Sequence, residues 1–342
     1  ADLLAELERR GRLPGRYLIL ELSPELRRRQ QQLLARERPG LSERVHWLER
    51  MPDNLRGLVL ANEVLDAMPV QRFRIGAAGP EEESVGWEGE GPAARFGSPV
   101  SPGLLQAIQE LQAQGLAQEP GYHAEINLRL GPWLRALAAS LEAGAALLID
   151  YGYPRRELFH PQRSMGTLMC HYRHRAHADP YRLLGLQDIT AHVDFTAVAA
   201  AGSAAGLVLA GYTTQAHFLF GCGLEKLLAR SDPADVANHL IQVQGVRRLT
   251  LPHEMGEAFK VLALGRGLRQ YAGGVAHRYS QARGGCHIHV VEPHGIIAVD
   301  AATGLLQCAE EVFSPGFGQL ADGRIAGAAD GLKDRVGRQN IR

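Results

Sequence analysis

Three short apolar runs, each closed by a polar residue, constrain this chain more than any other feature: YLIL before Glu21, LVLA before Asn62 and Glu63, and ALLI before Asp150. Strands this uniformly apolar are buried on both faces, which requires a parallel sheet with helices packed on either side. Ligands of such sheets gather at the carboxyl ends of the strands. Glu21, Asn62, Glu63 and Asp150 therefore share one expected edge.

The intervening stretches read as helices. ADLLAELERRG places Leu3, Leu4 and Leu7 on one face and stops at Gly11. After the strand Tyr17–Leu20, Ser23 is a cap, Pro24 a first helical residue, and Glu25 sits near the positive end of the helix dipole. A further strand is expected at Val45–Leu48. From Gly76 to Pro102 glycine, proline and glutamate dominate, which predicts an exposed hairpin with Glu81–Glu83 as a solvated surface. LLQAIQELQAQG and PWLRALAASLEAG read as helices ended by Gly115 and Gly144, followed by a strand from Ala145 to Tyr153. The polar, proline-punctuated segment up to Phe195 reads as a long functional loop. A helix (TAVAAAGSAAG), a strand (LVLAGYTT), a helical stretch and the strand FKVLALGR complete the pattern, and residues 267–342 read as a small β element or a frayed tail.

Lys plus Arg and Asp plus Glu both number 37, so no net basic field favours nucleic acid. No run approaches the roughly 18 apolar residues of a membrane-spanning helix, so no membrane insertion is expected. Four cysteines without CxxC spacing suggest a reducing cytoplasm rather than a disulfide framework. Cys170, His171, His174 and His177, and separately Cys286, His287 and His289, lack zinc-finger spacing, and no metal is expected at either.

NEVLDAMP carries the sharpest chemical signal. As a helical turn it would set Asn62 or Glu63 one turn from Asp66, pointing into the cleft above the sheet. Two neighbouring carboxylates are costly unless a cation sits between them, and a guanidinium substrate suits the pair. Such a substrate would be placed for attack on an activated methyl group, a reaction that depends on alignment. His192 is either a packed loop histidine or a proton acceptor oriented by Asp188 and Asp194. Tyr151 would pack on a cofactor or serve the fold, and Lys260 reads as an edge charge.

NEVLDAMPVQRF, LLIDYGYP, MGTLMCHYRHRAHADPYRLLGLQDITAHVDFT, GYTTQAHFLFGCGL and LPHEMGEAFKVLALGR together resemble the MidA-type family of class I S-adenosylmethionine-dependent methyltransferases. Its relatives include the mitochondrial complex I assembly factor, a protein arginine methyltransferase. The resemblance covers residues 1–266. It implies an α/β, Rossmann-like sheet, mostly parallel with an antiparallel last strand and helical and loop insertions. Residues 1–75 would be a cofactor-binding half that begins after the family's Gly-rich loop, 76–144 an insertion with helices, and 145–266 the acceptor half. The implied cofactor is S-adenosyl-L-methionine, with Glu21, Asn62, Asp150 and Tyr151 binding it and Glu63, Asp66, His192 and Asp194 as catalytic residues. The implied partner is a protein substrate, a respiratory complex subunit among the candidates, methylated on arginine in a bacterial cytoplasm; the eukaryotic relatives are mitochondrial. A small-molecule methyltransferase and a non-catalytic assembly factor of the same fold are the alternatives. Two departures favour the latter for this chain: it starts within the first helix, and the tail after Arg266 matches nothing in the family.

Overall fold

The computed structural model describes residues 1–173 and 175–267. Helix α1 (Asp2–Arg9) precedes β1 (Tyr17–Leu20), α2 (Pro24–Glu37) and β2 (Val45–Leu48). The Ser23 hydroxyl accepts from the Leu26 amide at 3.3 Å, the predicted cap, and Pro24 occupies the first helical position. β1 and β2 pair in parallel, Tyr17 opposite Val45 and Leu20 opposite Leu48, over a small core of Leu4, Leu34, Leu41 and Val45. This pair bonds to no other described strand.

β3 (Leu55–Asn62) leads into an insert of β4 (Gln71–Gly76), β5 (Gly79–Glu88), β6 (Gly91–Gly97), α3 (Leu104–Ala113) and β7 (His123–Ile126). Its strands form an antiparallel sheet in the order β6-β5-β4-β7, and Leu104, Ile108 and Leu111 of α3 bury Phe73, Ile75 and Ala124. The expected solvated acid run is corrected here. Glu82 is buried and accepts from the amides of Val100 (2.7 Å) and Ser101 (2.9 Å), while Glu83 pairs with Arg72 at 2.6 Å. Alternation along β5 turns successive acids to opposite faces, so a charge run on a strand cannot all be surface.

Helix α4 (Leu130–Ser140) then runs directly into β8 (Leu141–Tyr153), which starts four residues earlier than the glycine signal suggests. The expected long loop also contains structure: α5 (Arg155–Leu158), and a three-stranded antiparallel sheet with β9 (Met169–Tyr172) between β10 (Arg175–His177) and β11 (Asp188–Thr190). β12 (Val193–Asp194), α6 (Phe195–Ala204), β13 (Val208–Thr214), α7 (Gln215–Gly221), α8 (Leu224–Leu228), α9 (Val236–Thr250) and β14 (Phe259–Arg266) follow. Residues 268–342, where the tail expectation falls, and His174 lie outside the described residues.

β8 is the axis of the main sheet. β3 pairs parallel with its first half, β12 parallel with Gly152 and Tyr153, and β14 antiparallel along its length, with β13 antiparallel beyond β14. The α/β architecture and the antiparallel FKVLALGR strand agree with the sequence reading. The mostly parallel sheet does not: the main sheet is mixed, and β1–β2 stands apart from it. Leu148, Leu262 and Leu264, all fully buried, hold α4 and α6 against one face; at about 1.5–3 kcal/mol each, they favour that packing strongly. Lys260 is no edge charge. It is 8% exposed on β14, between two strands, and its Nζ donates to the carbonyls of Glu257 and, at 3.5 Å, Ala258.

The β3–β8 pairing tolerates no side chain at Gly144. Its φ of 134° disfavours other residues, and a Cβ there would collide with the Gly57 carbonyl on the facing strand. Gly144→Ala is therefore expected to cost about 2 kcal/mol or more, read as a lower urea midpoint; an unchanged midpoint would show that this contact does not constrain the sheet.

Candidate active site

The chain leaves the sheet at Glu63, whose φ of 50° is left-handed. Its amide donates to the Ile149 carbonyl at 2.9 Å, and the turn is then pinned from β8. Asp150 Oδ2 accepts from the amides of Leu65 (2.9 Å) and Asp66 (3.3 Å), while Oδ1 accepts from the Tyr151 amide at 2.9 Å. NEVLDAMP is thus an irregular turn, not the expected helical one. Asn62 is exposed, Glu63 half-buried and Asp66 4% exposed, so the three do not share a helical face.

Asp66 is the second buried acid. Its backbone carbonyl accepts from the Ala191 amide at 3.0 Å, and its Oδ1 has no hydrogen-bond partner among the described residues. Burial pushes the Asp150 carboxyl up to about 8, with the neighbouring Asp66 charge adding to the rise and the three amide bonds opposing it. Asp66 is also raised, first by burial and then by Asp188, with Tyr151 opposing. Two such acids cannot both ionise cheaply, so both hold their protons to higher pH than an ordinary aspartate. Burial and Asp66 keep the Tyr151 phenol neutral and able to donate.

His192 stands beside this pair. Its ring meets Tyr151 edge-on at 5.2 Å and Tyr153 at 5.5 Å, and its backbone amide donates to the Thr167 hydroxyl at 3.0 Å. Burial, then the charges of Arg163 and Lys260, hold the imidazole down to about 4, and Nδ1 is buried without a hydrogen-bond partner among the described residues. It is a neutral imidazole with a lone pair available for a proton. Asp194 has a different job: it caps α6 through the Ala197 amide at 3.0 Å and pairs with Arg155 at 2.8 Å, with no hydrogen bond to His192.

Glu21 closes β1, in the separate strand pair. Its Oε1 accepts from the Ser23 amide at 2.9 Å and its Oε2 from Gln30 Nε2 at 3.0 Å. Gln30 Oε1 accepts from Trp47 Nε1 at 2.8 Å, which fixes the amide with its nitrogen toward Glu21. The carboxylate is aimed, and each oxygen retains acceptor capacity of the kind a ribose diol requires. The structure thus gathers Asp66, Asp150, Tyr151 and His192, puts Glu63 and Asn62 at the rim, and keeps Glu21 on its own strand end. Sequence reasoning missed Gln30, Trp47, Thr167 and Glu125. Of these, only Glu125 stands near a strand end, one residue before the last of HAEI. No His, Cys, Asp and Glu cluster suited to a metal occurs among the described residues.

Residues 1–213 match the S-adenosyl-L-methionine-dependent methyltransferase family, and the chain belongs to it. A native crystal structure of a protein from Burkholderia thailandensis is similar at 42% identity and a TM-score of 0.72, over 77% of this chain and 70% of that one. A second Burkholderia thailandensis crystal structure, bound to S-adenosyl-homocysteine, has the same identity and TM-score over 77% of this chain and 67% of that one. The Protein arginine methyltransferase NDUFAF7, mitochondrial, of Danio rerio is 29% identical over 231 residues, 64% of this chain; the chain spans about half the length of that curated relative. Among the described residues no helix is long and apolar enough to cross a membrane.

The depressed His192 value has a stability consequence. The folded state binds fewer protons there than the unfolded state between pH 6.5 and about 4, so folding weakens as pH falls through that window. Melting curves of the wild type and His192→Asn should run parallel above pH 7 and diverge below 6, the wild type losing more; parallel curves down to pH 4 would refute the neutral, buried imidazole.

Proposed function

We propose that the protein transfers a methyl group from S-adenosyl-L-methionine to an arginine side chain of a protein acceptor. The observation that carries this reading is the buried Asp66–Asp150 pair, the Asp66 amide 3.3 Å from Asp150 Oδ2, with Tyr151 next to Asp150 packed edge-on against His192 at 5.2 Å. A guanidinium is the cation such a pair suits, and the curated relative named a protein arginine methyltransferase supports the same acceptor. Cys170 is a buried free thiol, in keeping with a reducing cytoplasm as the setting.

When bound, S-adenosyl-L-methionine supplies a methyl carbon activated by its sulfonium. Glu21, held by Gln30 and Ser23, would accept from the ribose hydroxyls, and Asn62 and Tyr151 would border the rest of the cofactor. Asp66, with Glu63 at the rim, aligns the guanidinium nitrogen for in-line attack, and alignment is the main contribution such a reaction requires. The nitrogen would gain the methyl group as the methyl–sulfur bond breaks to leave S-adenosyl-L-homocysteine, and would release a proton, with His192 as its acceptor.

The test is incubation with methyl-labelled S-adenosylmethionine and an extract of cells lacking the protein, followed by acid hydrolysis. Labelled methylarginine is expected, reduced at least about tenfold by Asp66→Asn and more modestly by Glu63→Gln. Label confined to low-mass material would establish a small-molecule enzyme instead. No incorporation, with client capture persisting, would establish a binding factor.

A further inference from the structure

An open cleft with about 90 Å³ of interior space lies between the insert and the main sheet. Glu110 of α3, Glu125 and Asn127 at the end of β7, and His192 and Asp194 line it. Glu125 is the buried titratable group that the reaction scheme leaves unused.

Its side chain is 5% exposed. Oε2 accepts from the Thr167 amide at 2.8 Å and from the Thr167 hydroxyl at 3.3 Å. Oε1 has no hydrogen-bond partner among the described residues. The nearest cation, Arg72 Nε, is 3.6 Å from Oε1, beyond hydrogen-bond range, and the same guanidinium gives its Nη1 to Glu83 at 2.6 Å. Arg72 is shared between the two carboxylates, and its guanidinium leaves Oε1 without a hydrogen bond. Asp194 brings its own partner, Arg155. Gly166 makes room for the carboxyl: a Cβ there would collide with it. A buried carboxylate oxygen without a donor is costly, and the cost falls when a ligand supplies the donor. The acceptor oxygen takes an N–H or O–H donor, and a guanidinium offers several N–H groups in a fixed planar fork that fits a carboxylate. Thr167 links the two ends, accepting from the His192 amide at 3.0 Å while donating to Glu125.

We infer that Glu125 Oε1 is the docking point at which the acceptor's guanidinium enters the cleft on its way to His192. This rests on the methyltransferase reading above and adds a recognition residue to it. Glu125→Gln keeps the shape and the bond to the Thr167 amide while removing the charge. Thr167→Val removes the hydroxyl links and keeps the charge.

Calorimetric titration with N-acetyl-arginine amide and its uncharged citrulline counterpart separates these roles. The wild type should prefer the arginine probe roughly tenfold or more, Glu125→Gln should lose the preference, and Thr167→Val should retain it. S-adenosylhomocysteine affinity should be the same in all three. A preference that persists in Glu125→Gln, is absent from the wild type, or disappears equally in Thr167→Val overturns the inference. A Glu125-dependent preference in a protein that makes no methylarginine would instead sink the enzymatic reading and leave the docking site standing.

Discussion

Asp150 sits at the point where β8 stops being a core strand and becomes the wall of a site. Its carboxylate collects three backbone N–H groups, two of them from the turn after β3, and so fixes the direction in which the chain leaves the sheet. That turn buries Asp66 and leaves Asn62 and Glu63 toward solvent. Burying the second acid against the first is unfavourable, and the raised values of both reflect it. Sites that hold a cation tolerate such an arrangement, because the ligand offsets in the bound state what the free protein lacks.

The apolar runs before Glu21 and Asp150 were legible as strands, but only Glu21 directly follows its strand; Asp150 lies within β8, which continues to Tyr153. The cap of α2 was equally legible, since Ser23-Pro24-Glu25 acts within one turn of chain. The turn at NEVLDAMP was not. Its geometry is dictated by Asp150, which lies more than 80 residues away in sequence, and no local propensity announces a left-handed Glu63. The Glu81–Glu83 run misled for a related reason, since its partners Arg72, Ser101 and Tyr181 come from other elements. The mixed character of the main sheet also follows from distant pairing: β14 inserts between β8 and β13.

The insert is more than decoration on the sheet. It has its own core around Phe73 and Ile108, and its far strand delivers Glu125 to the same cleft that His192 reaches from the main sheet. Thr167 joins the two by accepting from one and donating to the other. Two separately packed units thus meet at a polar seam, and catalysis and recognition would be carried by different cores, held together by a few hydrogen bonds. Glu21, on the small β1–β2 pair, is aimed by Trp47 through Gln30.

The central claim is that burial and the neighbouring Asp66 raise the Asp150 carboxyl to about 8. Carbon-13 NMR titration of aspartate side-chain carboxyls, in the wild type and in Asp66→Asn, tests it most directly. The account predicts one aspartate titrating near neutrality, far above the usual value of about 4, and a fall of that midpoint when Asp66 is neutralised. Aspartates that all titrate below about pH 5 in the wild type would contradict it, and the buried pair would then be an ordinary ionised strand-end arrangement rather than the seat of the site.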